Sequence, residues 1–361
     1  MPDKSPSPSL GGGEGRGEVG DVPMTDTRNM IAETVERLFA DHAEAALAAA
    51  EAGEWSAALW NEITANGLDR VLVPEESGGF GGGWQDAFVI LSAAGRHAAP
   101  VPLADTIAAT WLLQRAGLEA PEGLLSLADG DAVGVSGGKV MGTLLRVAWG
   151  SSAKCIVAQA VDDDPAMIAA FSPVGGKGAQ DRNVGRERRD TLLIDGLDAQ
   201  FGPGGSVMAA GALARSCQMA GAIAQVLDLC ATYAGERVQF GRPIARFQAI
   251  QQQLARLAGE AAAADMAAQV ACRAVDQGAD GFMEIAVAKI RTGEAAGKAA
   301  AIAHQVHGAI GFTEEHRLHH LTRRLWSWRA EFGTESVWAG ELGRLVVARG
   351  ADNLWPGMTG S

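Results

Sequence analysis

From Val207 to Gly350 the chain carries almost uninterrupted helical periodicity, and this stretch limits the possible folds more than any other. It divides into four segments, roughly 207–236, 246–277, 281–308 and 314–350, the last broken near Gly333. A helix of about thirty residues reaches about 45 Å at 1.5 Å per residue. Four such helices in succession make a bundle. Alanine is frequent throughout, because close helix packing needs small side chains and Ala is the best helix former. A chain of 361 residues, 47% of them hydrophobic, can build a large core spread over two or three domains.

Upstream the pattern is helical again from Thr25 to about Glu122. Ile31, Val35, Leu38 and Phe39 are spaced mostly at three and four, and further helices are expected over 44–52, 55–66, 84–97 and 103–117. Val71-Leu-Val-Pro74, followed by Gly78, Gly79 and Gly81, demands a loop. Between 123 and about 205, short runs at 132–135, 140–149, 154–161 and 191–194 are bounded by Gly, Asp and Pro and read as strands and turns. The expected fold class is mainly α with a small β domain. A disordered tail (1–23) precedes an N-terminal α-helical domain (24–122), a shortened middle β domain (123–205) and a C-terminal four-helix bundle (206–355). The tail is Gly, Ser, Pro and charge without the apolar core of a signal peptide, and Met24 or Met30 is an alternative start.

The net charge of −13 argues against a general nucleic-acid binder, which needs a basic face. Arginine is nonetheless concentrated at 237–246 and 317–329, a composition that suits bound phosphates. Cys155, Cys217, Cys230 and Cys272 form no CxxC pair and read as buried free thiols, which fits a cytoplasmic protein. The apolar stretch 216–232 contains Gln218, Gln225 and Asp228, so a buried bundle helix is expected there and no membrane span.

Two motifs interrupt the helices. The first is Arg237-x-x-Phe240-Gly241-Arg242-Pro243, with Gln248 just beyond it. Gly241 permits close backbone approach, Pro243 rigidifies entry to the next helix, and a fixed Arg at such a turn can fork to a pyrophosphate. The same residues also suit an ordinary helix–helix turn with a solvated Arg. The second is Gln305-x-x-Gly308-Ala309-x-Gly311-x-Thr313-Glu314-Glu315. Its glycines end one helix, and the next is expected to begin at Thr313 as N-cap, which would form a phosphate site of the helix-start type. A capped glycine-rich turn without a ligand is the plain alternative.

Taken together, in this order and at about this separation, the two motifs resemble the carboxy-terminal domain of the acyl-CoA dehydrogenase family. Val73-Pro-Glu-Glu-Ser-Gly-Gly-Phe-Gly-Gly and Ala98-Ala-Pro-Val-Pro-Leu-Ala-Asp-Thr look like its amino-terminal domain. The resemblance implies FAD as cofactor, an acyl-CoA substrate dehydrogenated at Cα–Cβ, and an electron-transfer flavoprotein as acceptor. It also implies a homo- or hetero-oligomeric dimer or tetramer. Arg237, Phe240 and Gln248 would approach the FAD of a neighbouring subunit, as would Gln305, Gly308 and Gly311, and Thr334 is counted with the cofactor residues.

The family's reaction needs a carboxylate to take the Cα proton. Many relatives carry it just before a Gly-Thr pair. Here the pair is Gly333-Thr334, preceded by Phe332, and Glu331 is the expected base, with Glu335 a second choice. Residues 207–224, where other relatives place a Glu, hold no acid and one charge, Arg215. The Thr-Glu-x-x-x-Gly-Ser-Asp stretch usual in the middle domain is absent. These departures resemble the shortened subunit of heteromeric steroid-type dehydrogenases, in which a partner chain supplies the base. A flavin monooxygenase on the same fold is a further alternative. His316-x-x-His319-His320 has helical ligand spacing, but no acidic or Cys pattern accompanies it and no metal is expected. Trp326, Trp328 and Trp338 read as core or flavin-proximal aromatics.

Overall fold

The computed structural model describes residues 26–161, 164, 166–174, 176–350 and 352. The expected tail over 1–23 and the end of the bundle beyond 352 lie outside them. The chain opens with α1 (Asp26–Ala52), α2 (Ala57–Ala65), α3 (Trp84–Arg96) and α4 (Leu103–Arg115). The separate helix expected over 44–52 is instead the last third of α1. Nothing between Phe39 and Glu44 is a Gly or Pro, so the helix has no reason to stop.

Six strands follow: β1 (Leu125–Ser136), β2 (Lys139–Ala148), β3 (Cys155–Ala160), β4 (Met167–Phe171), β5 (Lys177–Ala179) and β6 (Arg189–Pro203). β1 pairs with β2 and β3, β4 pairs with β3 and β6, and β6 returns to β2, so five strands close on themselves with β5 added at β6. The β1–β2 hairpin turns at Gly137-Gly138, both at positive φ, as a two-residue turn requires. β4 and the second half of β6 were not expected from the sequence. Asp195-Gly196 reads as a turn, but the strand passes through it with a register shift against β2.

The bundle comprises α5 (Val207–Glu236), α6 (Gln248–Asp276), α7 (Phe282–His307), α8 (Leu318–Ala330) and α9 (Glu335–Arg349), with a two-stranded ribbon, β7 (Val238–Gln239) and β8 (Arg242–Pro243), between α5 and α6. The Ser206 hydroxyl caps α5 by accepting from the Ala209 amide at 3.1 Å. α5 is the central helix, buried around its whole circumference from Ala210 to Ile223. It is long and apolar enough to cross a membrane, but 83% of its apolar window is inside the protein. Two glycines seat it against α3. A Cβ on Gly95 would come within 2.0 Å of the Gln218 carbonyl, and one on Gly221 within 1.9 Å of the Ser92 carbonyl. The N-terminal helices are tied to the bundle by Asp276 at the end of α6. Its carboxylate accepts the Trp84 and Gln85 amides (2.7 and 3.0 Å) at the start of α3.

Candidate functional site

The expected site residues fall into two groups. The first lies at one end of the bundle. Tyr233, in the last turn of α5, stacks on His307, the last residue of α7, with ring centroids 4.5 Å apart, and the His316 ring packs 4.7 Å from that of His307. This contact brings the Arg237 corner and the Gly308 tip to the same end. At the corner, Phe240 and Gly241 both take positive φ, and Ile244 donates back to the Arg237 carbonyl at 2.8 Å. Phe240 is 91% exposed, and its ring meets the edge of Phe247, over whose face Arg242 sits at 4.3 Å. Arg237, Gln248 and Gln305 are exposed as well. At the tip, Gly308 has φ +64° and Phe312 is exposed over the His304 ring.

The tip departs from expectation in one respect. Thr313 does not start a helix: its hydroxyl donates to the Ile310 carbonyl at 3.0 Å, closing a short 3₁₀ turn over Gly308–Phe312. α8 begins at Leu318, whose amide is accepted by His316 Nδ1 at 3.2 Å. The glycines therefore flank the end of α7 and not the start of α8, and the helix-start phosphate site expected from Gly308 and Gly311 is not formed within this chain.

The second group surrounds the break between α8 and α9. Arg215, which reaches that break, and Tyr233 are eighteen residues apart on α5, so the two groups are about 27 Å apart along the bundle. The break is built by side chains from elsewhere. Fully buried Lys289 on α7 donates to the Arg329 and Gly333 carbonyls (2.8 and 2.7 Å), satisfying the end of α8. Burial lowers its pKa to about 8, against the pull of Glu335 and Glu331. The Trp338 indole donates to the Phe332 carbonyl at 2.8 Å, and Asp129 of β1 accepts the Phe332 amide at 2.7 Å. Phe332, at φ +52°, presses its ring onto α5, where a Cβ on Gly211 would sit 2.2 Å from it. Thr334 precedes α9, and its hydroxyl is 2.9 Å from that of Ser336.

Glu331 is held by four donors. Arg189 Nε and Asn183 Nδ2 reach Oε1 at 2.8 and 3.2 Å, and Arg215 Nε and Arg189 Nη2 reach Oε2 at 2.7 and 3.0 Å. Arg215 also donates to Asp105 at 2.8 Å and to Gln218 at 2.8 Å. Glu187 accepts from Arg189 at 3.0 Å and from the Trp328 indole at 3.1 Å, and lies 3.4 Å from buried Arg324. Burial opposes the charged carboxylate, but the two guanidiniums outweigh it and hold the Glu331 pKa down to about 2. A general base must offer a free lone pair to its substrate and titrate near the working pH. Glu331 does neither, and this geometry does not suit the proton-abstracting role expected of it. Its side chain is an anchor in a buried ion network. Glu335 pairs with Arg329 and lies against Gly293 of α7.

Arg189, Glu187, Asp105, Asp129 and Lys289 were not singled out from the sequence. The one available signal was Arg215, a lone charge in an apolar helix, which requires a buried partner. Trp328 and Trp338 are core residues, whereas Trp326 is half exposed. All four cysteines are free and buried.

A flavin at the break would need space beside Glu331, yet Glu331, Arg189 and Arg215 are 6%, 4% and 3% exposed and in direct mutual contact. The residues there do not fit a bound isoalloxazine. Those at the bundle end do fit a dinucleotide reaching in from outside: a cation, an aromatic ring and polar side chains are exposed there.

Residues 25–121 match the family described as acyl-CoA dehydrogenase, N-terminal domain, and residues 205–346 match acyl-CoA dehydrogenase, C-terminal domain. The acyl-CoA dehydrogenase IpdE2 of Mycobacterium tuberculosis is 32% identical over 305 residues, covering 83% of this chain and 91% of that protein. Among solved structures, the Tcur3481–Tcur3483 steroid ACAD superposes with a TM-score of 0.82 at 25% identity, covering 90% of this chain and 99% of the other. The ChsE4–ChsE5 complex from Mycobacterium tuberculosis shares the fold at a TM-score of 0.79 and 22% identity, over 89% and 97% of the two chains. With helices, strands and bundle in the same order and both family matches in place, this chain belongs to the acyl-CoA dehydrogenase family.

Proposed function

We propose that this chain is the base-lacking subunit of a two-chain, FAD-dependent acyl-CoA dehydrogenase acting on a bulky, steroid-derived acyl-CoA thioester. The observation that carries this reading is the four-donor clamp on Glu331. The only carboxylate next to the Gly333-Thr334 pair on its N-terminal side is consumed, and Phe332 fills the position before the pair. The exposed corner and tip support the other half of the reading. Arg237, Phe240 and Gln248, with Gln305, Gly308 and Gly311, would complete a FAD site whose isoalloxazine pocket and base belong to a different chain. The Tcur3481–Tcur3483 steroid ACAD and the ChsE4–ChsE5 complex each pair two differently named chains, which favours a heteromer over a homo-oligomer. FAD accepts the hydride from Cβ of the thioester when bound, and an electron-transfer flavoprotein would reoxidise it.

The test is purification with and without a second dehydrogenase-like chain. Alone, the protein is expected to be colourless; co-expressed, it should come off the column yellow and bleach anaerobically with a steroid-derived acyl-CoA. Assembled Glu331→Gln complex should reduce each bound flavin at the wild-type rate. A chain that binds FAD stoichiometrically by itself, bleaches with acyl-CoA and loses this in Glu331→Gln would overturn the proposal.

A further inference from the structure

A cavity of about 620 Å³ lies between α1 and the segment leading into α8. Its floor brings together three groups from sequence positions far apart. Glu51 comes from the last turn of α1, and His319 and His320 from the first turn of α8. One ligand atom from each lies within 4.8 Å of the others. Glu315 precedes His319 by four residues, but α8 starts only at Leu318, and the acid beside His319 and His320 comes from 268 residues before His319.

The orientation of these groups is that of prepared ligands. His319 Nδ1 is bonded to the His316 carbonyl at 2.8 Å. Such a bond fixes the proton on Nδ1 and leaves the Nε2 lone pair free, the arrangement that backbone carbonyls impose on metal-bound histidines. The His320 ring packs against it, tilted by 40°, at 3.9 Å between centroids. Its Nδ1 is buried, has no hydrogen-bond partner among the described residues, and lies 3.5 Å from Glu51 Oε1. Glu51 is itself held: Arg323 donates to Oε1 at 2.8 Å while anchored on the Val184 carbonyl. Arg186, 3.6 Å from Glu51 Oε2, opposes a cation, as do Arg317, Arg323 and Arg324. Against them, Glu44, Glu314 and Glu315 line the same cavity with Glu51.

We infer that Glu51, His319 and His320 form a site for a divalent transition metal of the zinc class, with water from the cavity completing the coordination. Two imidazole nitrogens and one carboxylate oxygen suit Zn²⁺, Co²⁺ or Ni²⁺ and are a poor match for Ca²⁺ or Mg²⁺. The bound ion would staple α1 to α8, joining the N-terminal helices to the bundle at a point remote from the Asp276 cap. It involves no residue of the flavin reading, so the two proposals stand or fall separately.

The experiment is titration of tag-free, chelator-treated protein with Co²⁺ and Zn²⁺, followed by the Co²⁺ visible absorption and by calorimetry. One ion per chain is expected, with a raised melting temperature. His319→Ala and Glu51→Gln should each weaken binding by at least about a hundredfold, since loss of a mere outer-shell partner already costs about ten- to a hundredfold. His42→Ala, nine residues before Glu51 and so about half a turn away around α1, should leave it unchanged. Because Glu51→Gln also removes the Arg323 pair, His319→Ala with an unaltered circular dichroism spectrum is the deciding variant. Absence of stoichiometric binding, or binding that His319→Ala leaves intact, overturns the site.

Discussion

The two places where sequence pointed to function differ in how their charges are used. At the α8–α9 break every carboxylate oxygen of Glu331 and all three guanidinium nitrogens of Arg215 have a buried partner within 3.2 Å. At the bundle end, Arg237 and the Phe240 ring face outward. Saturation makes a region rigid and leaves nothing to bind a substrate, whereas unspent donors and exposed aromatic surface are what a partner or cofactor requires. The contrast predicts that mutations at the break act on stability, and mutations at the bundle end act on assembly.

The largest effect is expected from Arg215→Ala. It leaves Asp105 and Glu331 buried with part of their compensation gone, and removing one partner of a buried pair costs about 3–5 kcal/mol. Urea denaturation of the isolated chain measures this; a loss under about 1 kcal/mol would mean that water reaches the network and that the break is not saturated. The acid limb of stability comes next. Glu331 has a folded pKa of about 2, below its ordinary 4.5. Its contribution is therefore complete above pH 4.5 and disappears as pH falls toward 2. Glu331→Gln should flatten the stability profile in that window, which a series of melts from pH 6 to 2.5 would reveal.

Gly211→Ala probes the packing of the same break. The added methyl meets the Phe332 ring, which Asp129 and Trp338 hold by the backbone on either side. Overpacking of this kind costs about 1–3 kcal/mol. If the variant is as stable as wild type, the ring is free to move, and the space it vacates would reopen the question of a ligand beside Gly333.

What could be read from the sequence follows the same division. The bundle helices announced themselves through alanine content and period, and the corner motif is local, with Arg237, Phe240 and Pro243 within seven residues. The ion network is assembled from pairs separated by 110, 116 and 142 residues, Asp105–Arg215, Arg215–Glu331 and Arg189–Glu331. Adjacency in the chain carries no trace of such contacts, so the sequence alone presents Glu331 as an unpaired carboxylate. Thr313 illustrates the converse error. Its cap signal is local, but its hydroxyl is spent on Ile310, and His316 takes over the helix start. Beyond Ile194 the sequence conceals β6, because Asp195-Gly196 has turn chemistry, which pairing with β2 and β4 overrides.

The smallest expected effect is the sharpest test of the comparison, because its sign differs between two measurements. Phe240 holds a left-handed backbone, φ +52°, with its ring exposed. For a non-glycine residue that conformation costs about 1–2 kcal/mol, and the ring has no buried contact to offset it. Phe240→Gly removes the strain, while the freer unfolded chain takes back about 0.5–1 kcal/mol. The isolated chain should therefore become slightly more stable, by about 0.5 kcal/mol, in denaturant melts. In the co-expressed complex the same variant should lower flavin content, since strain retained at an exposed aromatic makes sense only if the ring is used against something outside the chain. Unchanged flavin content together with an unchanged complex would make Phe240 a plain turn residue and erase the difference between the two ends.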